Sequence, residues 1–271
     1  MKNLTAIFKV NCMGFVLVAL SFCGYRGFVA HSAPFESASI AIDVAKLKAR
    51  LAQCSKCELE KMLAAGEEVE KWSALLSRTG ANVVQEVLKG QGTFQIMEHY
   101  PLSDSFDANT HSQYFYHTHR EGEHGHFHLF LRREGMDGQI APLVPDDPPA
   151  TFAHLIAISM DSKGAPLSLF TVNRWVTGED WYSGNDLKRM LDCFRMTHAY
   201  PSYVTNQWLN AMVVLFRPQI EDLLDKRDAA IREYQKGIPL EKILDREEFD
   251  ALSEEKISIP SQIQALRELL S

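Results

Sequence analysis

The chain has 271 residues, of which 46% are hydrophobic and 23% charged, and its formal net charge is −7. This composition is typical of a folded globular protein and excludes a disordered chain. The acidic balance, without a long run of Lys or Arg, excludes a nucleic-acid-binding surface and polyanionic partners from the functions that we expect.

The amino-terminal segment, residues 1–33, resembles a signal peptide or a membrane anchor. Lys2 and Lys9 precede an uncharged run from Val10 to Tyr25, and small residues follow near Ala30. Secretory leaders have a positively charged amino terminus, an apolar stretch and a cleavage region of small residues. We therefore predict a periplasmic, exported or membrane-anchored protein, which contacts a membrane only through this segment if it is uncleaved. A cytoplasmic protein with an over-long start is the alternative.

Residues 34–236 are predicted to form a single domain that begins with helices. Apolar residues recur at helical spacing around Leu47 and again around Trp72, which indicates two amphipathic helices. Gly80 fits the end of the second helix, and Asn82 fits the N-cap of a short third one. The helical pattern stops near Gly90.

Strand patterns dominate the middle of the domain. Residues 93–100 are predicted to form a strand, followed by a polar loop that leads into a histidine-rich hairpin. Two more β-rich runs, 154–160 and 167–176, are joined by a turn at 161–164, which is typical of a second hairpin. This gives an antiparallel sheet of about five strands.

Helical spacing returns from Gly184 onward, and Pro218 suits the first turn of one of the later helices. Residues 237–271 are predicted to form a helical C-terminal extension. The fold class is therefore α+β, with helices before and after a central antiparallel sheet.

Five of the ten histidines lie within twelve residues, in the segment YHTHREGEHGHFHLF that starts at Tyr116. In a hairpin, the period of two puts His117 and His119 on one face of the first strand, and His126 and His128 on one face of the second. A four-residue connection, 121–124, would place His119 opposite His126 and His117 opposite His128, so all four would share a face.

The two faces of this hairpin differ in character. The aromatic and aliphatic residues that alternate with the histidines are expected to pack on a core: Tyr114, Tyr116, Phe127, Leu129 and Leu131. The histidine face, bordered by Phe115 and Phe130, would line a pocket.

The histidine face predicts a transition-metal site, because neutral imidazole is a ligand for zinc, iron and copper, at about 2.0–2.1 Å from zinc. The expected ligands are His117, His119, His126 and His128. Glu121 and Glu123 in the connection are candidate general bases if the protein is a metalloenzyme on a small-molecule substrate. A closed four-histidine site without turnover is the binding-module alternative, and a solvated strand face without function is the third. The sequence indicates no oligomeric state.

Two short motifs here resemble known families. His117-Thr-His119 followed by Glu123 resembles the first histidine motif of the cupins, which implies a metal-binding β-barrel with these three residues as ligands. The segment from His124 to Phe130 resembles the signature of the histidine-triad nucleotide hydrolases and transferases. That resemblance implies metal-free phosphate chemistry with His126 as the nucleophile, which is the alternative function.

A longer resemblance covers residues 40–235. The runs SQYFYHTHREGEHGHFHLFLR and HLIAISMDSKGAPLSLFTVNRWVTGEDW resemble an uncharacterised bacterial domain family, which implies no known activity. The second run ends in polar and aromatic residues that could form a pocket wall or a packed hairpin end: Asn173, Arg174, Trp175, Glu179, Asp180 and Trp181. His99, His154 and His198 are interpreted as structural histidines.

Overall fold

The computed structural model describes residues 42–146 and 148–271. The predicted leader, residues 1–33, lies outside the described residues. Within the described ranges, no helix is both long enough and apolar enough to cross a membrane.

The described chain begins with three helices: α1 (Val44–Leu51), α2 (Lys56–Ser77) and α3 (Val83–Leu88). Side chains cap their first turns, because the first backbone N–H groups of a helix have no partner within it. Asp43 accepts from Lys46, and Ser55 forms a reciprocal capping box with Glu58. Asn82 caps α3, and Gly80 has a φ of +72° just after α2. The predicted helices and both boundary residues are confirmed.

A single antiparallel sheet follows, with neighbouring strands in chain order. Among the described residues its strands are β1 (Tyr100–Phe106), β2 (Ser112–His117), β3 (Gly125–Arg132), β4 (Phe152–Met160), β5 (Pro166–Val172) and β6 (Ala251–Lys256). The α+β class is confirmed. The sheet is open, with β1 and β6 at its edges, so the closed barrel implied by the cupin resemblance is wrong.

The first strand lies later in the chain than predicted. Residues 93–99 are irregular, Ile96 and Met97 are exposed, and Met97 has a positive φ of 69°. β1 instead uses the polar stretch that was expected to be a loop, and it pairs with β2 at Tyr100↔Tyr116 and Ser105↔Tyr114 around an irregularity. An edge strand can carry polar residues because one side of it needs no strand partner, so its composition did not reveal it.

The remaining helices are α4 (Arg174–Thr177), α5 (Gly184–Met190), α6 (Tyr203–Leu215), α7 (Arg217–Gln235), α8 (Leu240–Leu244) and α9 (Ile259–Leu270). Pro218 lies in the first turn of α7, as predicted. The tail, 237–271, is not entirely helical, because it contributes β6. Main-chain hydrogen bonds to β5 stabilise this charged edge strand. The periodicity of the sequence does not predict pairing between strands so far apart in the chain. The division of the chain into leader, domain and extension stays a prediction.

One face of the sheet packs on helices. Tyr114, Tyr116, Phe127, Leu129 and Leu131 are almost completely buried in the main core, together with residues of α2, α6 and α7. The Tyr114 hydroxyl donates to Asn206 of α6 at 2.7 Å, and the ring of Phe127 lies 6.4 Å from that of Trp208. The predicted core face of the hairpin is confirmed, and its histidines point to the opposite face.

Gly125 allows β2 and β3 to approach closely at the start of β3. A Cβ at this position would lie 2.5 Å from the carbonyl oxygen of His117 and 2.6 Å from the Tyr116 hydroxyl. We expect Gly125→Ala to lower the free energy of unfolding by roughly 1–3 kcal/mol, because overpacking against backbone forces strand movement. Urea denaturation measures the change. Gly138→Ala is the control, since a Cβ there meets nothing within 4 Å; equal stability of the two variants would contradict the prediction.

Candidate metal centre

The pairing of β2 with β3 decides which histidines meet. His117 lies opposite His126, and Phe115 lies opposite His128. The predicted register, with His119 opposite His126, is therefore wrong by two residues, because the connection spans 118–124 rather than 121–124. A shift of two residues preserves the face of every side chain, since the strand period is two. The predicted sharing of one face by His117, His126 and His128 is confirmed.

These three imidazoles lie together inside the protein. His117 is 5% exposed, and His126 and His128 are 0% exposed. Each offers one nitrogen, and the three nitrogens all lie within 4.8 Å of one another. Their ring centroids are 4.4 to 5.1 Å apart. This group, His117, His126 and His128, is called the histidine triplet below.

The orientation of His126 is set by a carboxylate. Its Nδ1 donates to Glu123, whose other oxygen accepts from the Ser159 hydroxyl at 2.5 Å. Burial opposes ionisation of Glu123, but these hydrogen bonds and the charge of Arg120 outweigh it and lower the pKa of this carboxyl. With its proton on Nδ1, neutral His126 carries its lone pair on Nε2. That atom lies 2.7 Å from Nε2 of His117.

His128 is oriented by a second histidine. Its Nδ1 lies 2.9 Å from Nε2 of His154, a buried residue of β4. A backbone hydrogen bond at Ile156 favours protonation of His154, which is the effect of a ring N–H that donates to a carbonyl. The Nε2 of neutral His154 is then the acceptor, and His128 keeps its lone pair on Nε2.

His154 was interpreted only as a structural histidine, and a bulge places it here. His126 pairs with Ser159 and His128 with Ala157, but the register shifts before Phe130 pairs with His154. Unbroken alternation along β4 would have put Leu155 on the histidine face and His154 on the core face. The bulge reverses this, so no periodic signal in the sequence could have identified His154.

Burial keeps the cluster uncharged. It lowers the pKa of His117 to about 2, with smaller effects from His126 and the neighbouring histidines. Burial likewise lowers the pKa of His128 well below its usual value, and that of His154 to about 3. Neutral imidazole is the form that binds metals. The cluster therefore offers deprotonated nitrogens at neutral pH without competition from protons.

One unpartnered nitrogen of the triplet is suited to bind a cation. Among the described residues, Nε2 of His128 is buried without any hydrogen-bond partner. Such atoms are rare in folded proteins, and each costs about 1–3 kcal/mol. Tetrahedral ligands at zinc-like bond lengths stand about 3.3 Å apart, whereas the Nε2 atoms of His117 and His126 are 2.7 Å apart. A separation of about half an ångström between these rings would accommodate an ion.

The other predicted site residues lie outside the triplet. His119 follows the end of β2 and is exposed, with its ring centroid 4.8 Å from that of His117. Glu121 is exposed in the turn, whereas the Glu123 side chain is only 4% exposed. His124 stacks on Phe94 on the core side of the hairpin.

A small cleft leads from the surface to the histidine triplet. Its space is comparable to one water molecule. The polar residues of its wall are His119, Arg120 and Asp250, and the apolar ones are Phe170, Val172, Val176 and Ala251; His126 and His128 also line it. A ligand that approaches the triplet through this cleft would therefore pass between a charged wall and an apolar wall.

The predicted pocket wall after β5 is mainly structural. Arg174 pairs with Asp245, and Asp180 accepts three backbone N–H groups. The Arg227 guanidinium lies 3.9 Å from the Trp181 ring centroid. Glu179 alone of this group adjoins the cluster, because it accepts from the backbone N–H of His154 at 2.5 Å. Burial raises the pKa of Glu179 to about 8.

Comparison with known proteins gives one family. The sequence model of a domain of unknown function, DUF6969, matches residues 63–257. This span runs from α2 to the residue after β6 and contains the whole triplet. No curated protein and no solved structure matches the chain. The resemblance to an uncharacterised domain family is therefore confirmed.

The buried histidines predict that the metal-free protein loses stability as the pH falls below about 6.5. Below that pH the histidines of the unfolded chain bind protons. In the folded protein, His117 and His154 bind protons only when the pH falls to about 2 and about 3 respectively. Each such group contributes a slope of about 1.4 kcal/mol per pH unit. His154→Gln keeps an acceptor for His128 but cannot titrate. We expect its unfolding free energy, measured in chelator between pH 6 and pH 4.5, to fall less steeply than that of the parent. Parallel slopes would contradict the assignment.

Proposed function

Because the chain belongs to the DUF6969 family, whose function is unknown, its activity must be argued from its own residues, and we propose that it binds a transition-metal ion through His117, His126 and His128. One observation carries the proposal: three buried, neutral imidazoles converge, and Nε2 of His128 has no partner among the described residues. An ion at their common point would satisfy that lone pair. Imidazole suits zinc, iron and copper alike, so any of the three fits this set of ligands.

The centre that we propose is open rather than closed. Three protein ligands leave a fourth position for water or substrate, which is the arrangement of catalytic zinc sites. His119 is exposed and stands at the cleft, and His154 lies behind His128, on the side of Nδ1. The nitrogens that lie within 4.8 Å of one another are those of the triplet, without His119 or His154. This favours a metalloenzyme that acts on a small molecule over a storage or binding module.

We propose that Glu123 orients His126 and does not act as the general base. One of its oxygens accepts from His126 and the other from Ser159, so both are engaged. A carboxylate behind a metal-bound imidazole fixes the tautomer and makes the ring a stronger ligand. Glu121, exposed in the same turn, remains the candidate base.

The alternative, a metal-free nucleophilic His126, finds less support. An attacking nitrogen must reach the phosphorus of a substrate. The ring of His126 is 0% exposed, and its Nε2 lies 2.7 Å from His117. The same buried neighbours that hinder attack on a substrate are favourable for coordination of an ion.

Elemental analysis of the full chain tests the proposal. We expect near-stoichiometric metal in the parent after reconstitution, and little in His128→Gln, which removes the unpartnered nitrogen. His124→Gln is the matched control, since His124 belongs to the same hairpin but lies on Phe94 and Tyr116 on the core face. It should bind as much metal as the parent. Circular dichroism confirms that each variant is folded.

The outcomes separate the hypotheses clearly. No metal in the parent after reconstitution with zinc, iron and copper salts would refute the metal site. Equal loading of His128→Gln and the parent would refute these ligands. A chelator-resistant hydrolysis of nucleotides that is lost in His126→Gln would instead support the histidine-triad alternative.

Glu123→Gln tests the supporting carboxylate. The substitution preserves the shape of the side chain but removes the charge that holds the His126 proton on Nδ1. We expect metal affinity to fall about 10–100-fold. The control is Glu121→Gln, which removes an exposed charge from the same turn and should leave affinity unchanged. Competition with a chromogenic chelator measures both constants, and equal affinities for the two variants would contradict the assignment.

A further inference from the structure

Arg120 occupies the charged side of the cleft. Its guanidinium carbon lies 4.0 Å from the centroid of Phe170, and the edge-to-face contact between Phe170 and His126 has a centroid distance of 5.1 Å. Phe170 thus supports the arginine on one side and the histidine triplet on the other. One terminal nitrogen, Nη2, donates to Glu254 at 3.0 Å. These contacts hold the guanidinium in the wall of the cleft.

The second terminal nitrogen of Arg120 has no acceptor. Its Nη1 is buried and makes no hydrogen bond within the described residues. A carboxylate oxygen, Oε2 of Glu123, is 3.8 Å away and already accepts from Ser159. At 3.8 Å this is a charge contact without a hydrogen bond. A charged donor without an acceptor among the described residues, beside a candidate metal site, is suited to bind an oxygen atom of a ligand.

The charge balance indicates the sign of the missing group. The triplet is neutral, so a divalent ion would add two positive charges to that of Arg120, against the negative charges of Glu123 and Glu254. The remaining carboxylate of the cleft wall, Asp250, is exposed to solvent, and the high dielectric of water weakens its effect on the interior. An excess of positive charge in a partly dry site favours an anion over water alone.

We propose that the cleft binds a small carboxylate or a similar oxyanion, with one oxygen at the open position of the ion and Nη1 of Arg120 as a donor to the anion. The inference rests on the proposed metal site and adds the class of small molecule that this site would bind. Because the inner space of the cleft is comparable to one water molecule, it admits one oxygen of the smallest carboxylates, and the rest of the anion would lie towards the mouth of the cleft, beside the apolar residues Val172 and Val176. Arg120 is then a residue that determines specificity.

Titration with formate tests the inference. The full chain is loaded with cobalt(II), whose visible spectrum reports its ligands, and formate is added to the parent and to Arg120→Met. Met retains an apolar stem over Phe170 but has no guanidinium. We expect a formate-dependent spectral change in the parent, with roughly tenfold or weaker binding in Arg120→Met because a charge-assisted hydrogen bond is lost. Arg78→Met, a substitution at the exposed end of α2, is the control and should match the parent.

Glu254→Gln provides an independent variant if Arg120→Met folds poorly. It leaves Arg120 in place and removes a carboxylate that competes for its charge, so formate should bind more tightly. Equal formate affinity of Arg120→Met and the parent, unchanged or weaker binding in Glu254→Gln, or no spectral change on full cobalt loading would overturn the inference. A parent that takes up no cobalt would refute the metal site itself, and the loading step shows this before formate is added.

Discussion

The pairing of His117 with His126 across β2 and β3 is the constraint on which the rest of the site depends. The strand period of two places Tyr116 and Phe127 in the helical core and the histidine triplet on the far side, and this register then puts His117 directly opposite His126. The main-chain ladder thus positions three ligands before any ion is bound. Gly125 permits the close approach at the end of this ladder.

The cost of burying so many imidazoles explains the residues around them. A buried polar ring needs hydrogen-bond partners, and most of the cluster has them: Glu123 behind His126, Ser159 behind Glu123, and His154 behind His128. The partners occupy the outward nitrogens of His126 and His128 and leave the inward ones as acceptors. Supporting hydrogen bonds on the outward nitrogens, together with an Nε2 of His128 that has no partner among the described residues, are the organisation of a metal centre with supporting groups.

Distant parts of the chain complete the cleft. The turn after β2 brings Arg120, β5 brings Phe170, and β6 brings Glu254 from the carboxyl-terminal region. The edge strand β6 is therefore part of the candidate site as well as of the sheet. This is consistent with the family match, which ends one residue after β6. The matched span contains each of the three elements that hold Arg120 beside the cleft.

The sequence by itself determined the fold class, the first helices with the boundary residues Gly80 and Asn82, the second hairpin and the shared face of His117, His126 and His128, because capping and the period of two are local properties of the chain. It did not determine the register of the hairpin, the polar edge strands β1 and β6, or the position of His154. Register depends on the length of the connection, which the glycines at 122 and 125 left ambiguous. The bulge beside Leu155 reverses the alternation on which a sequence argument relies. The pairing of Arg120 with Glu254 spans 134 residues, and only the tertiary structure decides such a contact because no local pattern encodes it.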